Sequence, residues 1–318
     1  MVCLGCLTWA IAQQGRQLLE LTPSGGDWWF LLAGVLFSSL AVAVNGVAWA
    51  MLLRWLRCPL PTAEAVAIFT QTNGLKYIPG GIWHLVGRIQ LLQSKGYSWG
   101  QAILSVLLDP LLMVIAALLL LPLGGWQQGL GLVGPLAVLS LVPAWRDPLL
   151  KRLVRRVPVP QAKLMGATAG LQLLGPFPGG PLLGEMAFVL VRYVGFAFCA
   201  HGFLPPGVPP GPLIAAFALA WTAGLVVPGA PAGLGVFELV LVLRLGGLVQ
   251  EESALLATAL SYRVVSTMGD AMAAAAGAVL GKLRGKPPRL PGFLCFSSWQ
   301  RRPPDQGSGS GPLDPGLD

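Results

Sequence analysis

Charge is scarce in this sequence. Asp, Glu, Lys and Arg together make up 11% of its 318 residues, about half the share usual in a soluble domain. Hydrophobic residues make up 54%, and mean hydropathy is +0.69. That much apolar surface does not fit in one soluble core, so it must face lipid. Histidine is nearly missing, with two in the chain. The acids are not clustered, so a catalytic metal centre is not expected. The five cysteines, Cys3, Cys6, Cys58, Cys199 and Cys295, are scattered. Cys3 and Cys6 have C-x-x-C spacing, but no second pair completes a metal site and no βαβ pattern surrounds them. They read as small apolar residues in or near lipid. Nucleophile elbow, P-loop and dinucleotide fingerprint are all missing, and no Ser-His-Asp set falls on facing elements. No cofactor is implied. The chain is not expected to be an enzyme, a membrane-embedded transferase being the alternative.

What is present is a series of apolar runs. A helix needs about 20 residues to cross a hydrocarbon core of roughly 30 Å. Trp28–Leu53 meets this without a charge, and Gln101–Leu123, Met186–Leu204 and Ala254–Leu280 meet it with one or two ionisable groups each. Gly129–Val142 is short and needs tilt or a partner helix. Net charge is +8, and its placement sets a topology. Arg54 and Arg57 follow the first span. Arg146, Lys151, Arg152, Arg155, Arg156 and Lys163 lie in a loop, Trp145–Lys163, and six more basic residues follow Leu280. Neither basic segment is a folded nucleic-acid-binding domain. The positive-inside rule places all of them in the cytoplasm of a plasma-membrane protein, next to anionic headgroups. The spans then run inward (28–53), outward (101–123), inward (129–142), outward (186–204) and inward (254–280), with a cytoplasmic C-terminal tail.

Residues 1–13 are apolar but too short to span, and read as the stub of a first helix whose beginning lies outside this chain. Leu164–Gly184 reads as an interfacial segment, and the tail from Pro287 as disordered. The domain plan is one transmembrane domain, residues 1–285, with a repeat at about 28–143, a second at about 183–281, and a disordered tail at 286–318.

Two apolar segments remain, Ala63–Leu92 and Pro212–Leu248. Each must begin and end on one side, the first in the cytoplasm and the second outside, if the basic loops are to stay together. Each therefore reads as a re-entrant hairpin broken by Gly and Pro. Two kinked helices with packing glycines are the alternative. Thr72-x-Gly74-Leu75 before Pro79-Gly80 is echoed about 150 residues later by Thr222-x-Gly224-Leu225 before Pro228-Gly229. The fold class expected is thus an all-α polytopic membrane protein, an inverted-repeat bundle with two broken hairpins, a pattern of secondary transporters. Non-helical backbone at membrane depth survives only inside protein or against a polar cavity. Helix starts near Gly80–Gly81 and Gly233–Gly235 would turn free N–H groups towards an anion there.

Ionisable residues at this depth each need a reason. Lys76, His84 and Arg88 surround the first break, and Glu238 and Arg244 follow the second. Asp109, Glu185, Arg192, Arg263 and Asp270 lie in or at the edges of spans. Structural pairs, Glu238 with Arg263 and Asp109 with Arg192, are one reading. The other has Lys76, Arg88 and Arg263 holding a phosphate headgroup, oriented by Glu238 and Asp109. His84 reads as a proton carrier or as a hydrogen-bonded packing residue.

The run from Lys76 through Tyr77, Pro79, Gly80, Gly81, Trp83 and His84 to Arg88 resembles a signature of the lysylphosphatidylglycerol synthase transmembrane, or flippase-like, family. Pro228-Gly229 with Gly233-Leu234-Gly235-Val236-Phe237-Glu238 resembles its second signature, with Ala230-Pro231-Ala232 inserted. Tyr262-Arg263 is similar to its tyrosine–arginine pair on the last helix. The resemblance covers most of residues 15–285. It implies a lipid flippase role, and lysyl transfer is not expected from this chain. The substrate-binding set that follows is Asn73, Lys76, Tyr77, Gly80, Gly81, Trp83, His84, Arg88, Gly229, Gly233, Gly235, Glu238 and Arg263, with Asp109, Arg192 and Asp270 in supporting ion pairs. The expected partner is a membrane phospholipid with an anionic headgroup, together with a possible separate lipid-modifying enzyme. A protein that presents lipid to such an enzyme without transporting it is the rival function.

Overall fold

In a computed structural model the chain is described over residues 28–78, 82–125, 130–156, 174–227 and 235–283. These fall within the unit Met1–Pro288. The expectations for the N-terminal stub, the tail, and Gly80, Gly81, Gly229 and Gly233 lie outside the described residues.

The described residues are all-helical, with ten α-helices and no strand. They are α1 Trp29–Trp55, α2 Thr62–Asn73, α3 Trp83–Ser94, α4 Trp99–Leu118, α5 Val133–Leu139, α6 Pro143–Arg156, α7 Gly179–Phe203, α8 Pro210–Val226, α9 Val236–Leu245 and α10 Glu252–Leu283. Three stretches are long and apolar enough to cross a bilayer: Trp29–Trp55, Trp99–Gly124 and Gly179–Phe203. α10 is longer still, 32 residues, or about 48 Å at 1.5 Å per residue, but ionised side chains dilute its apolarity.

α1 shows why such a sequence makes a membrane helix. Its exposed residues include Leu32, Leu36, Leu40, Val47 and Met51, an apolar stripe at helical spacing. Its buried side carries Gly34, Ser38, Asn45 and Gly46 among larger apolar residues. Apolar outside and small or polar inside reverses the soluble pattern, as lipid requires.

Small residues set the packing. A Cβ on Gly195 of α7 would lie 2.7 Å from Ser38 Oγ, and one on Gly269 of α10 would lie 2.6 Å from Ser38 Cβ. α1, α7 and α10 therefore meet almost backbone to backbone around Ser38. The same contacts give directions. Gly184 lies over Ala48, Gly195 over Ser38 and Gly202 over Phe30, so α7 runs antiparallel to α1. Gly34 lies against Val265 and Ser38 against Gly269, so α10 runs parallel to α1. These are the relative directions that the basic residues require.

One end of the bundle gathers several segments. α1 ends in a turn with Arg57 at φ 59 and the Cys58 N–H donating to the Leu53 carbonyl at 2.9 Å, a closure that satisfies the last carbonyls. Arg54 donates to Thr62 at the start of α2, and Tyr97 OH donates to the Pro59 carbonyl at 2.6 Å. Lys95, after α3, pairs with Glu64 in the first turn of α2. α2 thus starts, and α3 ends, at the same end of the bundle. Ser98 caps α4 in a box with Gln101, whose amide also donates to the Leu56 and Arg57 carbonyls. At the other end, Leu123 and Gly124 after α4 pack on Gly211 and Ala215 of α8.

Three expectations need correction. The basic segment starting at Trp145 is not a loop in its described part but helix α6. Its Arg146 is buried, lies 5.2 Å from the Trp55 ring, and donates to the Gly175 and Pro176 carbonyls. The span expected at Gly129–Val142 is not one helix: among the described residues it holds a 3-10 turn, Leu130–Leu132, and a seven-residue helix, α5, before α6 begins at Pro143. Gly179–Gly184, assigned to the interface, is the beginning of α7.

Candidate functional site

Both Gly/Pro-containing segments break into two helices. α2 runs into a 3-10 turn, Gly74–Tyr77, and α3 begins at Trp83. α8 ends at Val226, and α9 begins at Val236. Each break meets α10 through charged residues. Asp270 faces the first and Arg263, two turns earlier on the same helix face, faces the second.

At the first break, Asp270 is 1% exposed and takes four donors. Lys76 Nζ lies 2.7 Å from Oδ2, and Tyr77 OH donates to the same oxygen at 2.7 Å. Asn73 Nδ2 donates to Oδ1 at 3.2 Å, and Arg192 of α7 reaches Oδ1 at 3.4 Å. Asn73, Lys76 and Tyr77 stand at helical spacing, i, i+3 and i+4, and the 3-10 turn that continues α2 keeps them on the side that meets α10. Arg192 also donates to the Ser38 carbonyl at 3.3 Å, at the close crossing of α1, α7 and α10. Two cations share one carboxylate here. The Arg192 Nε finds no acceptor among the described residues, and the Lys76 side chain is 32% exposed. The cluster is buried, positive and reachable from one side.

Arg88 of α3 lies in a second cluster. It donates to Asp109 of α4 at 2.9 Å and to Thr72 Oγ1 at 3.3 Å. Its guanidinium carbon sits 3.6 Å from the centre of the Phe69 ring and 5.8 Å from that of Trp49, a desolvated cation–π arrangement. Glu185 of α7 lies beside the Asp109 carboxyl. One cation faces two carboxyl groups.

The third cluster is balanced. Glu238, in the first turn of α9, accepts the Gly235 N–H at 2.9 Å. Both of its oxygens pair with the Arg263 guanidinium, Nη2 donating at 3.0 Å. Gly235 has φ 81, a conformation that favours glycine. Glu238 therefore caps the helix and locks it to α10. Tyr262 stacks on Phe237 at 5.5 Å, within a ring cluster that includes Phe196 and Phe217.

The sequence-derived set is thus divided among three places. Asn73, Lys76, Tyr77, Arg192 and Asp270 meet at the first break, Arg88 and Asp109 lie behind it, and Gly235, Glu238 and Arg263 lie at the second. The expected pairing of Asp109 with Arg192 is corrected: Asp109 takes Arg88, and Arg192 takes Asp270. Lys76, Arg88 and Arg263 do not converge, since each has its own carboxylate. Trp83 and His84 open α3 and are partly buried. The helix start expected to offer free N–H groups near Gly233–Gly235 has the Gly235 N–H taken by Glu238. Glu185 was visible as an ionisable residue but stood outside the site set, because α7 begins earlier than the apolar run suggests. Thr72 was read as a repeat marker and proves to be an Arg88 ligand. Phe69 carried no signal.

Over residues 1–273 the sequence matches the family model described as lysylphosphatidylglycerol synthase TM region. No curated protein matches the chain. Long apolar helices, charges kept inside the protein and a family match over most of the length lead to one conclusion: this chain is a multi-pass membrane protein belonging to the lysylphosphatidylglycerol synthase TM region family.

Proposed function

We propose that the chain moves an anionic or aminoacylated phospholipid, or a related lipid-linked molecule, across the plasma membrane, and that it is not an enzyme. The observation that carries this reading is the positive cluster at the first break. Lys76 and Arg192 share Asp270 alone, with an Arg192 N–H left over and Lys76 partly exposed. A phosphate or carboxylate would complete that cluster, while acyl chains stay against the apolar outer faces of the bundle. In this reading the two broken segments are re-entrant hairpins of an inverted repeat, entering from opposite sides. The positions of Lys95 beside Glu64 and of Gly211 beside Leu123 favour it. The end bearing Arg54 and Arg146 faces the cytoplasm, as does the C-terminal tail. Access then alternates between the two tips. The family's name ties it to a phospholipid, which agrees with such cargo.

Reconstituted vesicles carrying fluorescent phosphatidylglycerol and lysylphosphatidylglycerol test this. Protein-dependent transbilayer movement should fall at least about tenfold in Lys76→Gln and Arg192→Gln, the loss of one charge-assisted contact being worth roughly 1.5–3 kcal/mol. Each variant is first checked for monodisperse elution. Full movement in both removes the site. Movement of no lipid, with phosphatidylglycerol still bound, favours the rival reading of a partner that presents lipid to a separate enzyme.

A further inference from the structure

Asp109 and Glu185 are 2% and 1% exposed, and their carboxyl groups are neighbours. Two carboxylate anions have no donor to give each other, so a proton on one of them relieves both their repulsion and the missing donor. Among the described residues the surroundings supply a single positive charge. Arg88 of α3 faces the pair and gives one N–H to Asp109 Oδ2. Thr72 and Phe69 of α2 and Trp49 of α1 close around that guanidinium. Asp109 Oδ1 and Glu185 Oε2 are both buried without a donor among the described residues. One proton held between the carboxyl groups supplies that donor and leaves a single negative charge opposite Arg88.

We propose that the Asp109–Glu185 pair is a proton-binding site, and that its proton is taken up together with the anion held at Lys76 and Arg192. The second half rests on the anion site described above, and the first does not. Across the three clusters, Lys76, Arg88, Arg192 and Arg263 face Asp109, Glu185, Glu238 and Asp270. Without the shared proton these charges cancel in total but not in place, since the excess positive charge lies at Asp270 and the excess negative charge at Arg88. With the proton, the network holds one uncompensated positive charge, next to Lys76, where an anion neutralises it. The two clusters adjoin, since Thr72, which takes Arg88, is followed in the chain by Asn73, which reaches Asp270. Proton and anion therefore favour each other's binding, and the linkage is reciprocal. Binding of the anion is tight below the titration of the pair and weakens as pH rises through it.

Infrared spectra of the purified full chain in detergent test the proton site directly. At pH 7 the protein should show the C=O stretch of a protonated, buried carboxyl that shifts in D2O. The band should vanish in both Glu185→Gln and Asp109→Asn, because a single carboxyl opposite Arg88 ionises. No such band, or a band persisting in both variants, overturns the proposal. Titration with short-chain phosphatidylglycerol tests the coupling. Affinity should fall as pH rises, by no more than about tenfold per pH unit, the limit for one linked proton. Glu185→Gln should bind without that slope, and an equal slope in the variant overturns the coupling. Absence of phosphatidylglycerol binding at every pH, with the infrared band present, overturns the anion site and the coupling and leaves the proton site standing.

Discussion

A guanidinium at membrane depth costs on the order of 2.5–3.5 kcal/mol on insertion scales, and Arg88 shows how this chain offsets that cost. Asp109 and Thr72 take its N–H groups, and Phe69 covers one face. Because the arrangement depends on a planar fork, Arg88→Lys keeps the charge but loses the stacked geometry. We expect Arg88→Lys to melt lower than wild type in detergent, by roughly 1–3 kcal/mol for the lost contacts. Glu238 has two tasks, the Gly235 N–H and the Arg263 fork. Glu238→Ala removes the carboxylate that pairs with the buried Arg263 and should cost about 3–5 kcal/mol. In the double variant Glu238→Ala with Arg263→Leu, much of that loss should return, which a double-mutant cycle on thermal stability measures. Full additivity would mean that the pair is not what joins α9 to α10. These residues were legible as unusual in the sequence, since charges are so few. Their partners were not, because Asp109 and Arg88 lie on separate helices and no sequence spacing links them.

The long helices follow from length and apolarity, which act locally, so their existence could be read along the chain. Their ends were harder. α7 begins at Gly179, and within its first turns Gly184 packs against Ala48 and Met51 of α1, a contact with no trace in local composition. Likewise α6 is a helix anchored by Arg146 on Trp55, although its charge made it look like a solvated loop. At the crossing around Ser38, helix separation is set by glycine. Gly269→Leu or Gly195→Leu should lower stability by at least about 1–3 kcal/mol through overpacking. Leu36→Val, on the exposed apolar stripe of α1, should change it by less than about 0.5 kcal/mol. Thermal melts of the three variants in one detergent decide this. Equal effects would show that the exposed stripe is packed after all.

At the scale of the whole molecule, relative helix directions are set by packing and sides by charge. Substituted cysteines test the sides. Ser94→Cys lies at the end of the bundle with Arg54, and Pro206→Cys follows α7 at the other. A membrane-impermeant maleimide should label them from opposite sides of oriented vesicles, and labelling from the same side would end the topology. Background from Cys58 should be small, since the thiol is buried and burial pushes it up to about 12. Cys199 is buried too, and Cys3, Cys6 and Cys295 are replaced by serine. By itself the sequence determined that the chain lives in lipid, roughly where its long apolar helices run, which side its basic residues favour and which family it resembles. Hydropathy and charge are sums over neighbouring residues, and a motif is contiguous, so each survives in one dimension. Only the tertiary structure decided that the buried cations do not converge. They divide among Asp270, Asp109 and Glu238, because each partnership joins separate elements whose facing sides are set by packing. The uneven sharing of charge, two cations on Asp270 and two carboxyls on Arg88, exists only once those helices are packed.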